Sequence, residues 1–220
     1  MIKIVIKNVI FDMGDTLFPK KEFVFKILIG KDFVENAAEW YTRNSGLSKG
    51  KAEEKVKQTL NRFYTKTHTI QDLVDAEAVN TEGALSGRYD VPLLPGARDT
   101  LEYIHSKGIK IATFSNGGTN SQKAQMAIVG FDKYISQYFS VANLGNKQES
   151  ETYKCLCDKL GVLPENAMYF NDDHNEAKAA DAAGIGSQIL IGDKVDTVDS
   201  NRIILVKNHS QALEYLVKKL

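Results

Sequence analysis

Four times in the second half of the chain, a helical pattern closes on a glycine and a short apolar run follows. Gly108, Gly130, Gly161 and Gly184 stand at the closures, where a residue in the left-handed region ends a helix. The runs behind them occupy residues 109–114, 138–142, 167–170 and 188–191. Runs this short and this apolar, alternating with helices, are the signature of parallel strands covered on both faces. Residues 202–206 add one more run, and residues 210–220 close the chain with a helix. The same signature stands near the start, where Val9-Ile10-Phe11 breaks on Asp12 and then on Gly14-Asp15. Residues 1–7 alternate lysine with apolar side chains, without an uninterrupted apolar core or a small-residue cleavage site, and read as a strand and not as a signal peptide.

Residues 18–90 have a different texture. Phe23, Ile27, Phe33, Ala37, Trp40, Tyr41, Val56, Leu60, Phe63 and Tyr64 recur at three- and four-residue steps between many charges, the spacing of amphipathic helices. Breaks at Gly30, at Asn44-Ser45-Gly46 and near Thr67-His68-Thr69 divide this stretch into about four helices, with no strand. The predicted architecture is therefore α/β: a doubly wound, Rossmann-like parallel sheet core from residues 1–17 and 91–220, with an all-helical domain of residues 18–90 inserted after strand one.

Composition limits what such a chain does. Lys+Arg 28 against Asp+Glu 28 leaves no net charge, which argues against a broad nucleic-acid or anionic-membrane surface. No stretch is long enough to span a bilayer. Cys155 and Cys157 sit two apart in a helical pattern, so they point in different directions and read as packing thiols in a reducing compartment. A cytoplasmic protein is expected, a monomer or a homodimer.

In open α/β sheets ligands bind at the carboxyl ends of the strands. Strand one ends in Asp12, a carboxylate able to act as a nucleophile and as a ligand for a hard cation. The strand from Ile109 runs into Ser115-Asn116-Gly117-Gly118, a hydroxyl and an amide followed by flexible backbone whose N–H groups can turn to an anion. Lys147, preceded by Gly145-Asn146, stands just ahead of a helix, and the strand ending at Phe170 runs into Asn171-Asp172-Asp173-His174-Asn175-Glu176. Read singly, these are also turn residues, helix caps and a solvated lysine. Together they hold the parts of phosphoryl transfer: an attacking oxygen, a cation, and donors for equatorial oxygens. His174 reads as a rim or capping residue, and His68, His105 and His209 have no partner spacing.

The order Phe11-Asp12-Met13-Gly14-Asp15-Thr16-Leu17, then Ser115-Asn116-Gly117, then Lys147 before Glu149-Ser150-Glu151-Thr152-Tyr153, then Tyr169-Phe170-Asn171-Asp172-Asp173 with Ala183-Gly184 beyond, resembles the haloacid dehalogenase superfamily. Within it, the sequence is similar to the phosphoglycolate phosphatase-like branch, with a helical cap after strand one. The resemblance covers nearly the whole chain and rests on four motifs in order. It implies that Asp12 attacks phosphorus to form an aspartyl-phosphate, that Ser115 and the Asn116 backbone hold phosphoryl oxygens, and that Lys147 steadies both the nucleophile and the transferring group. It also implies a magnesium ion ligated by Asp12, the Gly14 carbonyl and Asp172, with Asp173 or Glu176 completing that shell. A small phosphorylated metabolite is the implied substrate, and the insert is expected to close over it, excluding water and choosing the substrate.

Two positions depart from that pattern. The acid usually found two residues after the nucleophile is Gly14 here, with Asp15 one residue late, and the usual glycine ahead of the metal-binding aspartate is Asn171. Glycine transfers no proton, and such help is worth ~10²–10⁴ in rate. Asp15 swinging in, a cap residue, or an acidic leaving group would each make up the loss. The departure keeps two other functions in view: hydrolytic dehalogenation by Asp12, and a phosphate- and magnesium-binding regulatory protein with little turnover. The paired acids Asp172-Asp173 favour a metal, and so a phosphate, over a chloroalkanoate.

Overall fold

The computed structural model describes residues 5–19, 31–65, 67, 69, 71–72, 75–76, 78–79, 82, 93–192 and 200–220. The chain divides into two units, Met1–Pro19 with Pro92–Leu220, and Lys20–Val91.

In the first unit the elements run β1 (Asn8–Phe11), α3 (Ala97–Ser106), β2 (Lys110–Ser115), α4 (Thr119–Ile128), β3 (Ile135–Ser140), α5 (Val141–Leu144), α6 (Ser150–Leu160), β4 (Ala167–Asn171), α7 (His174–Ala182), β5 (Ser187–Ile191), β6 (Ile203–Val206) and α8 (His209–Lys219). The strands form a parallel sheet in the order β3-β2-β1-β4-β5-β6. After β1 the chain winds outwards through β2 and β3, then returns to the other side of β1 for β4 to β6. That reversal makes the gap between β1 and β4 the topological switch point, where a doubly wound sheet opens its crevice.

Both faces of the sheet are covered, which is why its central strands read as apolar runs. On one face Ile10, Phe114 and Tyr169 pack with Tyr153, Leu156 and Cys157 of α6 and with Ala179 and Ala180 of α7, all buried. The alternate residues Phe11 and Phe170 stack at 4.4 Å, with the His209 ring of α8 parallel to Phe170 at 6.2 Å. Gly108, Gly130, Gly161 and Gly184 all have positive φ, as helix closers should. Gly186 meets a different demand: a Cβ there would come within 2.1 Å of the Glu165 carbonyl, so only glycine allows the chain to pass.

Three strand boundaries differ from expectation. Residues 5–7 lie outside β1, although Lys7 still bonds both neighbours, donating to Asn166 and accepting from Lys110. The run at 138–142 is shifted: β3 starts at Ile135, and Val141 already begins a helical turn capped by the Ser140 hydroxyl, which accepts from the Ala142 N–H at 3.3 Å. As an edge strand β3 exposes Ser136 and Gln137, so its first half carries no apolar run. The remaining strands fall within a residue of the runs read from sequence.

The second unit contains α1 (Lys31–Ser45) and α2 (Lys49–Tyr64), which pack together, with Gly46 in the left-handed region between them. Ala37, Ala38, Tyr41, Ala52 and Val56 are buried. A polar cluster ties residues 69–75 back to both helices. Asp72 accepts from Arg62 Nε at 2.8 Å and Nη2 at 2.5 Å, and from both the N–H and the hydroxyl of Thr69 at 2.9 Å. Tyr41 donates to Asp75 at 2.7 Å. The break predicted at Gly30 and part of the expected helix count lie outside the described residues.

Candidate active site

Asp12 leaves β1 without leaving the ladder, since its N–H donates to the Phe170 carbonyl of β4 at 2.9 Å. One step beyond the pairs Phe11 with Thr113 and Phe11 with Phe170, Asp12 stands between Phe114 on β2 and Asn171 on β4. By alternation its side chain shares a face with Ile10, Phe114 and Tyr169.

Lys147 meets it there from the loop between α5 and α6. Its Nζ donates to Asp12 Oδ1 at 2.6 Å and to Glu176 Oε2 at 2.9 Å, and the Tyr169 hydroxyl donates to that same Glu176 oxygen at 2.7 Å. Lys147 is 3% exposed and Asp12 5%, so the pair is taken almost wholly out of water. Burial opposes the Lys147 charge, but the two carboxylates outweigh it and raise the ammonium above the ordinary lysine value. Glu176 is raised too, first by burial and then by Asp12, with Lys147 pulling it part of the way back. Burial, with Tyr153, Asp12 and Glu176 close by, pushes the Tyr169 hydroxyl well above the usual phenol range, so it keeps the proton it donates to Glu176. The result is a fixed chain from Tyr169 through Glu176 and Lys147 to Asp12, with the cation aimed at one carboxylate oxygen.

The loop after Asp12 is a tight turn. The Met13 carbonyl accepts from the N–H groups of Leu17 and Phe18 at 2.8 and 2.9 Å, and the Asp15 N–H donates to the Phe18 carbonyl at 2.6 Å. Asp15 has φ 54°, the left-handed region, while Gly14 is not among the residues at positive φ. Asp15 thus takes the left-handed conformation natural to glycine and carries its strain, while Gly14 does not use it. His209 secures this loop from α8. Its Nε2 lies 2.6 Å from the Thr16 carbonyl, which requires the N–H on Nε2, and burial holds its pKa below the ordinary histidine value.

Ser115 ends β2, half-buried, and its Oγ accepts from the Gly117 N–H at 3.4 Å; Asn116 is exposed. Gln122 of α4, 1% exposed, donates through Nε2 to the carbonyls of Gly117 and Phe139, both at 2.8 Å, and accepts from Thr113 at 2.7 Å. The Gly117 turn is therefore clamped from below. Sequence reading missed Gln122, His209 and Tyr169 as supports of the site. Their partners are distant in the chain or are backbone carbonyls, and no local spacing signals either.

Asp172 occupies the turn between β4 and α7. Asp173 caps α7, its Oδ1 accepting from the N–H groups of Asn175 at 2.7 Å and Glu176 at 3.1 Å. Both Asp173 and Glu176 thus have oxygens committed to other partners. Cys157 is buried, with its thiol pushed up to about 12 by desolvation, and takes no part.

The donor set fits magnesium. That ion takes six oxygens, keeps several waters and needs only one or two carboxylates. Among the described residues no three His, Cys, Asp or Glu side chains cluster to hold a metal. Asp12, the Gly14 carbonyl and Asp172 are the groups such an ion would take, with water for the rest. Beside Asp12, Asn171 is fully buried with neither side-chain polar atom partnered.

Fold and site together define a doubly wound α/β protein with a lysine-paired aspartate at its switch point. The haloacid dehalogenase-like hydrolase family model matches residues 6–184, and the chain belongs to that family. It is 32% identical over 124 residues to enolase-phosphatase E1 of Marinobacter nauticus, covering 53% of this chain and 52% of that one. It is 27% identical over 161 residues to enolase-phosphatase E1 of Xenopus tropicalis, covering 67% of this chain and 59% of that one. The matches thus span a little over half the length of these relatives. The solved structure of the Unknown transcript 4 protein from Saccharomyces cerevisiae shares the fold, with TM-score 0.72 at 18% identity over 92% of this chain and 98% of that one. No helix among the described residues is long and apolar enough to cross a membrane.

Proposed function

We propose that this protein is a magnesium-dependent phosphatase of a small phosphorylated metabolite, acting through an aspartyl-phosphate on Asp12. The observation that carries this reading is the buried Asp12–Lys147–Glu176 chain, which engages Oδ1 of the aspartate at 2.6 Å. Among the described residues, nothing bonds Oδ2. The relatives named enolase-phosphatase support a phosphate ester as substrate class.

Asp12 Oδ2 attacks phosphorus as the bond to the leaving oxygen breaks, and that oxygen takes a proton. Water then attacks the aspartyl-phosphate, releasing phosphate and restoring the carboxylate. Lys147 holds one oxygen of Asp12 and faces the charge that develops on the phosphoryl oxygens, while Ser115 and the Asn116 backbone supply donors to them. Asp12, the Gly14 carbonyl and Asp172 would hold magnesium, which would supply Lewis-acid neutralisation of the phosphate. Glu176 steadies Lys147, and Asp173 fixes the start of α7. The acid role falls to Asp15, one residue past the usual position, and substrate choice is assigned to residues 18–90. The left-handed Asp15 favours one further reading, a phosphate-binding protein with little turnover.

A panel of aryl and alkyl phosphates with and without magnesium tests this. Hydrolysis lost on chelation, and lowered at least about a thousandfold in Asp12→Asn, is the expected result. Chloride release from 2-chloro acids without metal would overturn it, and tight phosphate binding without hydrolysis would favour the further reading.

A further inference from the structure

β3 is the outermost strand on its side of the sheet, so one row of its N–H and C=O groups has no strand to pair with among the described residues. A cavity of about 410 Å³ lies along this strand, lined by residues 136–139 together with Lys123 of α4 and Lys159 of α6. The two lysines come from opposite faces of the sheet. Register sets Tyr138 beside Thr113, which bonds Gln122 of α4, and sets Phe139 beside Phe114, on the face that α6 covers. Both lysines are exposed. Among the described residues neither is in an ion pair, and no carboxylate lines the cavity.

An open edge is a template for strand addition, in which main-chain hydrogen bonds give affinity and side chains give specificity. Pairing of β3 is regular from Gln137 onward, Ser136 being the extra residue where the register with β2 shifts. A strand laid against that stretch sends adjacent side chains to opposite faces, one towards Lys123 and the next towards Lys159. Two acidic residues in succession therefore match both lysines. A second copy of this chain does not. Joining two β3 edges by a twofold axis into one antiparallel sheet keeps like faces together, and so sets the lysines of one copy against the same lysines of the other.

We propose that the β3 edge docks an extended segment of a partner protein that carries two adjacent acidic residues. The edge is two strands away from β1 and its Asp12, and the proposal is independent of the reaction assigned there. The stretch is short and its charges stand in water, so the association is weak and sensitive to salt.

The probe is a capped, fluorescein-labelled hexapeptide of threonine and valine around a central Asp-Glu pair, read by fluorescence anisotropy against the full chain at low salt. Saturable binding with Kd below about 1 mM is expected. Charge reversal, Lys123→Glu with Lys159→Glu, should weaken it at least about tenfold and confer binding of the same peptide carrying Lys-Lys in place of Asp-Glu. If that variant does not fold, Lys123→Gln with Lys159→Gln makes the comparison with a smaller loss. N-methylation of the central peptide amides, which removes donors and keeps charge, should abolish binding. Equal binding of the methylated peptide would mean that charge alone is recognised and would overturn strand addition. An unchanged Kd after charge reversal would place the peptide elsewhere and overturn it as well. Absence of saturable binding would leave the two lysines as guards that keep the edge unpaired, and a dimer in sedimentation velocity that excludes the peptide would assign the edge to a second copy; either result overturns the proposal.

Discussion

Asp12 and Asp72 are equally hidden from water, at 5% and 4% exposure, and each faces a cation, yet they are built for different ends. Asp72 spends both oxygens: Arg62 grips them with Nε and Nη2, Thr69 adds its N–H and hydroxyl, and Thr59 adds a long contact at 3.4 Å. The Arg62 hydrogen bond outweighs burial and holds the Asp72 carboxyl well below the usual range. Among the described residues Asp12 engages one oxygen, on a lysine that is shared with a second carboxylate. A saturated carboxylate fastens a fold. A half-engaged one, at the switch point of a doubly wound sheet, is the arrangement that the proposed nucleophile requires.

The largest effect that separates the two is expected from Lys147→Met. It leaves Asp12 and Glu176 facing one another without their cation, and removing one partner of a buried pair costs about 3–5 kcal/mol. Denaturant unfolding reads that loss, and turnover of the folded fraction falls by at least about a hundredfold. Unchanged turnover would place Lys147 beside Asp72 as a structural element.

Asp72→Asn comes next. A Tm drop on the order of 5 °C is expected, with kcat and KM unchanged. The pH dependence follows from the sign of the shift. A carboxyl lowered in the folded state contributes stability that is complete above its unfolded value of about 3.9 and is lost as pH falls toward the folded value. Wild type therefore loses stability through that acid window more steeply than Asp72→Asn. A parallel decline would show that Asp72 is not what the acid titrates.

The smallest effect is the most specific. Interchanging the loop residues, Gly14→Asp with Asp15→Gly, returns glycine to the left-handed position and should recover about 1–2 kcal/mol of backbone strain, seen as a higher Tm. It should also raise turnover of alkyl phosphates relative to aryl phosphates, because a poor leaving group needs the proton. A gain in Tm without that change in ratio would leave the strain argument intact and remove the acid one.

The sheet was legible because parallel strands covered on both faces leave apolar runs and glycine closures in the chain. Ala167–Asn171 and Ser187–Ile191 show no exposed residue and were readable from their runs; Ile135–Ser140, at the edge with Ser136 and Gln137 in solvent, was not. Asp12 stood out because it interrupts such a run. That Lys147 lies against it depends on a contact across 135 residues, which family likeness implied and periodicity does not. Local spacing was equally silent about His209, whose ring reaches Thr16 across 193 residues, and about the Lys147 and Tyr169 partners of Glu176. It also could not tell that Asp15, and not Gly14, takes the left-handed conformation, since that requires the backbone angles of the closed turn.

The central claim is that Asp12 forms a covalent bond to phosphorus, and rapid acid quench of a single turnover with a labelled aryl phosphate tests it most directly. The account predicts a transient, hydroxylamine-sensitive phosphoryl label that peptide mapping assigns to Asp12 and that Asp12→Asn abolishes. Hydrolysis proceeding at full rate with no label on Asp12 would contradict it.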